Sequence, residues 1–205
     1  MTDFLEEMKR LQYEAALIAV RDCLRTHGDS QSCENFMNEF WYGSNGVFGT
    51  HDRDLPWATA EVIAGRCLTP QGSRELIVQA WTGPEFPEAN LTQDLWLGIF
   101  GTVGFIADDD EDGQQEAPPD APMRLWRGAI PSRARGMAWT SNRSRAEWFA
   151  TRLDGVSSRE RGALWTATAP PNTILARFTR RGEDEFVLDP RNLAIEEVPW
   201  EDAPQ

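Results

Sequence analysis

Three short polar clusters near the C-terminal end of the chain carry the residue types from which a reaction can be built. They are Arg127-Gly128 within LWRGA, Thr140-Ser141 within GMAWTSNRSRAEWFA, and Glu183-Asp184-Glu185 within RGEDEFVLDP. Residues 121–205 contain neither cysteine nor histidine. A Cys/His nucleophile, a Ser/His/Asp triad and a zinc hydrolase are therefore very hard to assemble there. What remains is an arginine, hydroxyls and paired carboxylates. That set suits an anionic ligand and a transition state that develops positive charge.

These clusters sit at the ends of segments with strand character. Met123 to Ala129, Ala163 to Ala169, Thr173 to Phe178, Glu185 to Leu188 and Leu193 to Val198 alternate or run apolar over strand length. Between them, Ser141 or Asn142 caps a helix to about Leu153, with Ala146, Phe149, Ala150 and Leu153 inward. Trp126, Trp139, Trp148 and Trp165 are expected in the core.

The first hundred residues read differently. Asp3 and Glu6 open a helix with Phe4, Met8, Leu11, Ala15 and Ile18 on one face, and Ser30 to Trp41 repeats the pattern. Further helices are expected from Asp54 and Pro56 to about Cys67, and from Ser73 to about Trp81. A last apolar segment, capped by Asn90 or Thr92, runs to near Ile106. The run Asp108-Asp109-Asp110-Glu111-Asp112-Gly113 and the prolines after it continue neither helix nor strand, and EF-hand spacing is missing. The expected organisation is a mostly helical accessory or target-docking part over 1–106, an acidic Pro-rich linker over 107–122, and a compact β-rich part over 123–205. The fold class is α+β, the helical part being packed on or linked to the β-rich core.

Charge divides at the same place. The 205 residues carry 33 acidic and 20 basic side chains, a net −13. Residues 1–120 hold 22 acids and 7 bases, while 121–205 hold 11 acids and 13 bases, all arginine. A pI near 4.6 disfavours direct nucleic-acid binding by the whole chain. Leu95 to Ile106 is too short to span a bilayer, and no Lys/Arg-led apolar leader shows. Cys23, Cys33 and Cys67 are odd in number and lack paired spacing, and His27 and His51 stand apart. Reduced thiols, a cytoplasmic location and no metal are expected.

The order arginine, then strand-Thr-Ser-helix, then Glu-x-Glu resembles the arginine–serine–glutamate class of mono-ADP-ribosyltransferases. LWRGAIP is similar to that class's arginine strand. AWTS followed by a helix carrying AEWFA resembles its Ser-Thr-Ser strand and helix, with Trp139, Thr140 and Ser141 at the motif. Glu183-Asp184-Glu185 with its apolar strand and Pro190 resembles its Glu-x-Glu element. The resemblance covers about residues 123–200, and Arg127 and Ser141 stand 14 positions apart, closer than the class usually has them.

The resemblance implies that NAD is the substrate and that ADP-ribose passes to a protein side chain, with arginine favoured. It makes Glu185 the carboxylate set against the ribosyl cation and Glu183 the group that orients or deprotonates the acceptor. Arg127 and Gly128 would meet the NAD pyrophosphate or ribose, and Trp139, Thr140 and Ser141 the nicotinamide ribose. A bacterial or phage effector acting on a partner protein, possibly a basic one docked by the acidic part, fits that activity. Two other readings stand beside it: an NAD glycohydrolase that uses the same residues with water as acceptor, and a non-catalytic inhibitor whose acidic first part mimics DNA.

Overall fold

The computed structural model describes residues 59, 60, 63, 70–107, 116–152, 161–179 and 184–199, and the chain divides into two units between Val103 and Gly104. The helices expected over 4–18 and 30–41 lie outside the described residues. Of the one expected from Asp54 to Cys67, Thr59, Ala60 and Ile63 are described, and all three are helical.

In the first unit, helix α1 covers Pro70–Thr82, α2 covers Pro87–Asn90 and α3 covers Gln93–Gly101. Thr92 caps α3 by accepting from the Leu95 amide. The apolar faces meet in an aromatic cluster. Trp81 lies edge-on to Trp96, 4.9 Å between centroids, and to Phe100 at 5.5 Å. The indole of Trp96 donates to the Pro87 carbonyl at 3.2 Å.

The helix expected to reach Ile106 stops at Gly101. Gly104 then takes a φ of +74°, open to glycine without a side-chain penalty. This turn releases Ile106–Ala107 to form strand β1 of the second unit. No helix among the described residues is long and apolar enough to cross a membrane.

The second unit is built on one seven-stranded sheet. Its other strands are β2 (Met123–Ala129), β3 (Ala138–Thr140), β4 (Ala163–Ala169), β5 (Ile174–Phe178), β6 (Glu185–Leu188) and β7 (Ile195–Val198). Their spatial order is β1-β5-β6-β3-β2-β4-β7, with β1 parallel to β5 and every other pair antiparallel. Side chains alternate between the two faces of such a sheet. One face carries the apolar core of Leu125, Trp139, Ala167, Ile174, Phe186 and Leu188.

On the opposite face lies helix α4 (Arg143–Thr151), started by the Asn142 side chain, which accepts from the Arg145 amide at 3.1 Å. Ala146 and Ala150 are buried under it. Trp139 is in the core as expected, but Trp148 is 48% exposed. Trp148 lies two positions from both Ala146 and Ala150, off the face that a helix buries at a period of 3.6.

A turn after β6 is held by charge. The Asp189 carboxylate accepts from the Arg191 amide at 3.1 Å and from its guanidinium at 2.9 and 2.7 Å. The Arg191 bonds hold Asp189 below its ordinary carboxylate range, although burial works against them. A lowered carboxylate stabilises the fold above its unfolded pKa and loses that contribution as pH falls through the folded value. Asp189→Asn should therefore flatten part of the acid limb in melting temperatures followed from about pH 6 down to about pH 2. An unchanged acid limb would remove Asp189 from that role.

Candidate active site

The three sequence clusters fall on three neighbouring strands, because β6, β3 and β2 are adjacent in the sheet. Register then decides which side chains meet. Glu185 is paired with Thr140, Thr140 with Trp126, and Trp126 with Thr166. Glu185, Thr140, Trp126 and Thr166 thus form one row on the same face, at intervals of about 4.8 Å.

Thr140 is 6% exposed, and its hydroxyl accepts from the Asn142 amide at 3.1 Å. Accepting there ties the end of β3 to the start of α4, on the face of Glu185. Glu185 itself is half-buried. A carboxylate in that setting is partly shielded from water yet reachable by a ligand.

Arg127 and Trp139 belong to the other face. Arg127 follows Trp126 in β2, so its side chain leaves on the side of Leu125 and the apolar core. Its guanidinium donates to the Arg133 carbonyl at 3.1 Å and to the Ala138 carbonyl at 2.6 Å. It also packs on Gly136, where a Cβ would meet its Nη2 at 1.9 Å. The arginine thus holds the 131–138 loop, which contains a 3-10 turn at Pro131–Arg133, against β2. The Trp139 indole donates to the Gly136 carbonyl at 2.8 Å and secures the same loop.

Arg127→Lys should therefore destabilise the second unit, because a single ammonium on a flexible stem does not reproduce the fork. The expected loss is about 1–3 kcal/mol in thermal or urea unfolding, with affinity for ADP-ribose unchanged. Weakened ADP-ribose binding at unchanged stability would return Arg127 to the ligand.

Ser141 parts from Thr140 in the same way. Its hydroxyl donates to the Asp184 carboxylate. Arg177 donates to Asp184 through Nε at 3.0 Å and Nη2 at 2.9 Å, and through Nη1 to Glu116. Burial opposes the Arg177 charge, but Asp184 and Glu116 outweigh it and hold its pKa above the usual guanidinium value. Arg177 is the register partner of Phe186, so this chain lies on the face opposite Glu185.

Asp184 takes a φ of +43°, in the left-handed region. Aspartate tolerates that region better than most residues, and the Ser141 and Arg177 bonds hold it there. Asp184 therefore anchors the backbone one residue before Glu185. Glu183 lies outside the described residues.

Gly128 serves packing. A Cβ there would sit 1.9 Å from the Ala146 carbonyl oxygen and 2.4 Å from the Ala150 nitrogen. The backbone of α4 therefore rests directly on β2, on the face that carries Trp126, Thr140 and Glu185.

A cationic group lies beside that row, and its Arg124 was not singled out from the sequence. The Arg124 guanidinium carbon lies 4.5 Å from the Trp126 ring centroid, and that of Arg143 lies 5.4 Å from it. The available signal was the period-two spacing of Arg124 and Trp126, which sends both side chains to one face. Among the described residues, no group of three or more His, Cys, Asp or Glu side chains is placed to hold a metal ion. Compared with protein-family models, curated proteins and solved structures, the chain matches none.

Proposed function

We propose that the second unit is an NAD-dependent mono-ADP-ribosyltransferase acting on a protein side chain. The observation that carries this reading is the direct pairing of Thr140 with Glu185 on adjacent strands, beside the strand that bears Trp126. That pairing sets a hydroxyl and a half-buried carboxylate side by side on one face of the sheet. No Cys or His is needed for the step they serve.

In that step the bond between ribose C1′ and the nicotinamide nitrogen breaks, and its electron pair leaves with neutral nicotinamide. The Glu185 carboxylate stabilises the positive charge left on C1′ and accepts a hydrogen bond from the ribose 2′-hydroxyl. A nucleophilic atom of the acceptor side chain then bonds to C1′ and releases a proton, which Glu183 takes. Asp184 and Arg177 act behind Glu185 as positioning residues. The acidic first 120 residues favour a basic target protein.

Incubation of the full chain with NAD and a basic candidate target tests the reading. Release of nicotinamide with an ADP-ribose mass increment on the target is the expected result. Glu183→Gln should suppress the increment while NAD hydrolysis persists. Tight binding of the target without NAD consumption would overturn the enzyme and support a non-catalytic acidic inhibitor.

A further inference from the structure

We infer that Arg124 and Arg143, gathered at the Trp126 ring, bind the diphosphate of the dinucleotide, an inference that rests on the NAD reading above. Two guanidinium groups repel each other, yet both are held at a single indole. The ring's electron-rich face attracts each cation, but it supplies no counter-charge.

Arg143 has a carboxylate of its own, since its Nε donates to Glu147 at 2.9 Å with both side chains about one-third exposed. Arg124 has none. Its Nε donates to the Thr166 hydroxyl at 3.3 Å, and that hydroxyl in turn donates to the Leu125 carbonyl at 3.1 Å. Thr166 is buried, so the tether on Arg124 is fixed from below. Among the described residues, Arg124 makes no ion pair. Its Nη groups are therefore available to an anion.

The arrangement suits a ligand with two adjacent phosphates. Held near one ring, the two guanidinium carbons lie within about 10 Å of each other, from the two ring distances. A guanidinium presents paired N–H donors whose spacing matches two phosphate oxygens, so two of them serve the two phosphates of a diphosphate.

Position on the sheet points the same way. Trp126 stands two strand intervals, about 10 Å, from Glu185 in the same row. A ribose with its 5′-phosphate bridges that interval, placing C1′ at Glu185 and phosphorus at the arginines. Arg127, on the opposite face, takes no part.

The test measures binding of ADP-ribose and of inorganic pyrophosphate to the full chain by calorimetry, for the wild type and for R124Q, R143Q and the double variant. Both ligands should bind the wild type, with an affinity that falls as salt rises. Each single variant should weaken ADP-ribose binding about tenfold or more, the loss of one charge-assisted contact. Turnover assays should show KM for NAD rising by a similar factor while kcat changes little.

R124Q removes an exposed charge together with the Nε bond to Thr166 and the contact with the Trp126 ring, and its melting curve reports whether the fold is kept. Should the double variant fail to fold, the single variants and the salt dependence decide the question. Binding by the arginines without NAD cleavage would support the diphosphate site and remove the transferase reading. Wild-type affinity in folded R124Q and R143Q would overturn the inference even if NAD is cleaved, as would absence of ADP-ribose binding to the wild type.

Discussion

Glu185→Gln should abolish NAD cleavage and transfer together, by about 10²-fold or more, the scale at which one preorganised electrostatic contact acts. Glutamine keeps the size of the side chain and its place opposite Thr140 but removes the charge that opposes a cationic C1′. Because Glu185 is half-buried and at the first position of β6, the substitution should leave the melting temperature within a few degrees of wild type. Affinity for ADP-ribose should persist, since the proposed diphosphate contacts lie two strands away. Nicotinamide release measured beside a thermal melt separates chemistry from folding. Wild-type turnover in a folded Glu185→Gln protein would remove the carboxylate from the mechanism.

Gly128→Ala carries the largest expected structural effect. The added methyl group would meet backbone atoms of α4, which unlike a flexible side-chain end cannot swing aside. Either α4 moves away from β2 or the strand buckles. Overpacking of this kind costs about 1–3 kcal/mol, sometimes more. For a unit of about 100 residues, each kcal/mol lowers the melting temperature by about 4–8 °C.

The same displacement would shift Arg143, the first residue of α4, relative to Trp126. ADP-ribose affinity should therefore fall along with stability. Gly98→Ala in α3 is the control. Nothing lies within 4 Å of a Cβ there, so better helix propensity should stabilise by up to about 1 kcal/mol. A Gly128→Ala protein that melts like wild type would show that α4 does not rest on β2 as described.

Local signals were legible where a few neighbouring residues settle the backbone. The Thr92 and Asn142 caps and the strands at Met123–Ala129, Ala163–Ala169 and Glu185–Leu188 follow from side-chain chemistry and alternation within each segment. Ile106–Ala107 was not legible. It has the apolar character of the helix before it, and only its parallel partner Ala176–Arg177 makes it a strand. Tryptophan is usually covered, yet the place of Trp148 around the helix leaves it outside.

For the site, the chain order of the polar clusters was visible, but their division between two faces was not. Trp139, Thr140 and Ser141 are consecutive, and the pleat sends Thr140 toward Glu185 while its neighbours go to the other side. Asp184 and Glu185 separate by the same rule. A guanidinium suits phosphate, which is what the sequence offers at Arg127, whereas the fold has that guanidinium donating to the carbonyls of Arg133 and Ala138 on the other face.

By itself the sequence determined the residue types available for chemistry, the absence of Cys and His from residues 121–205, and the local elements that carry each cluster. Only the tertiary structure decided that β6, β3 and β2 are neighbours, that Thr140 stands opposite Glu185, and that Arg124 and Arg143 meet at Trp126. The reason is physical. Caps and alternation act over a few residues, whereas strand order and register depend on partners distant in the chain, and a one-residue change of register would exchange the two faces.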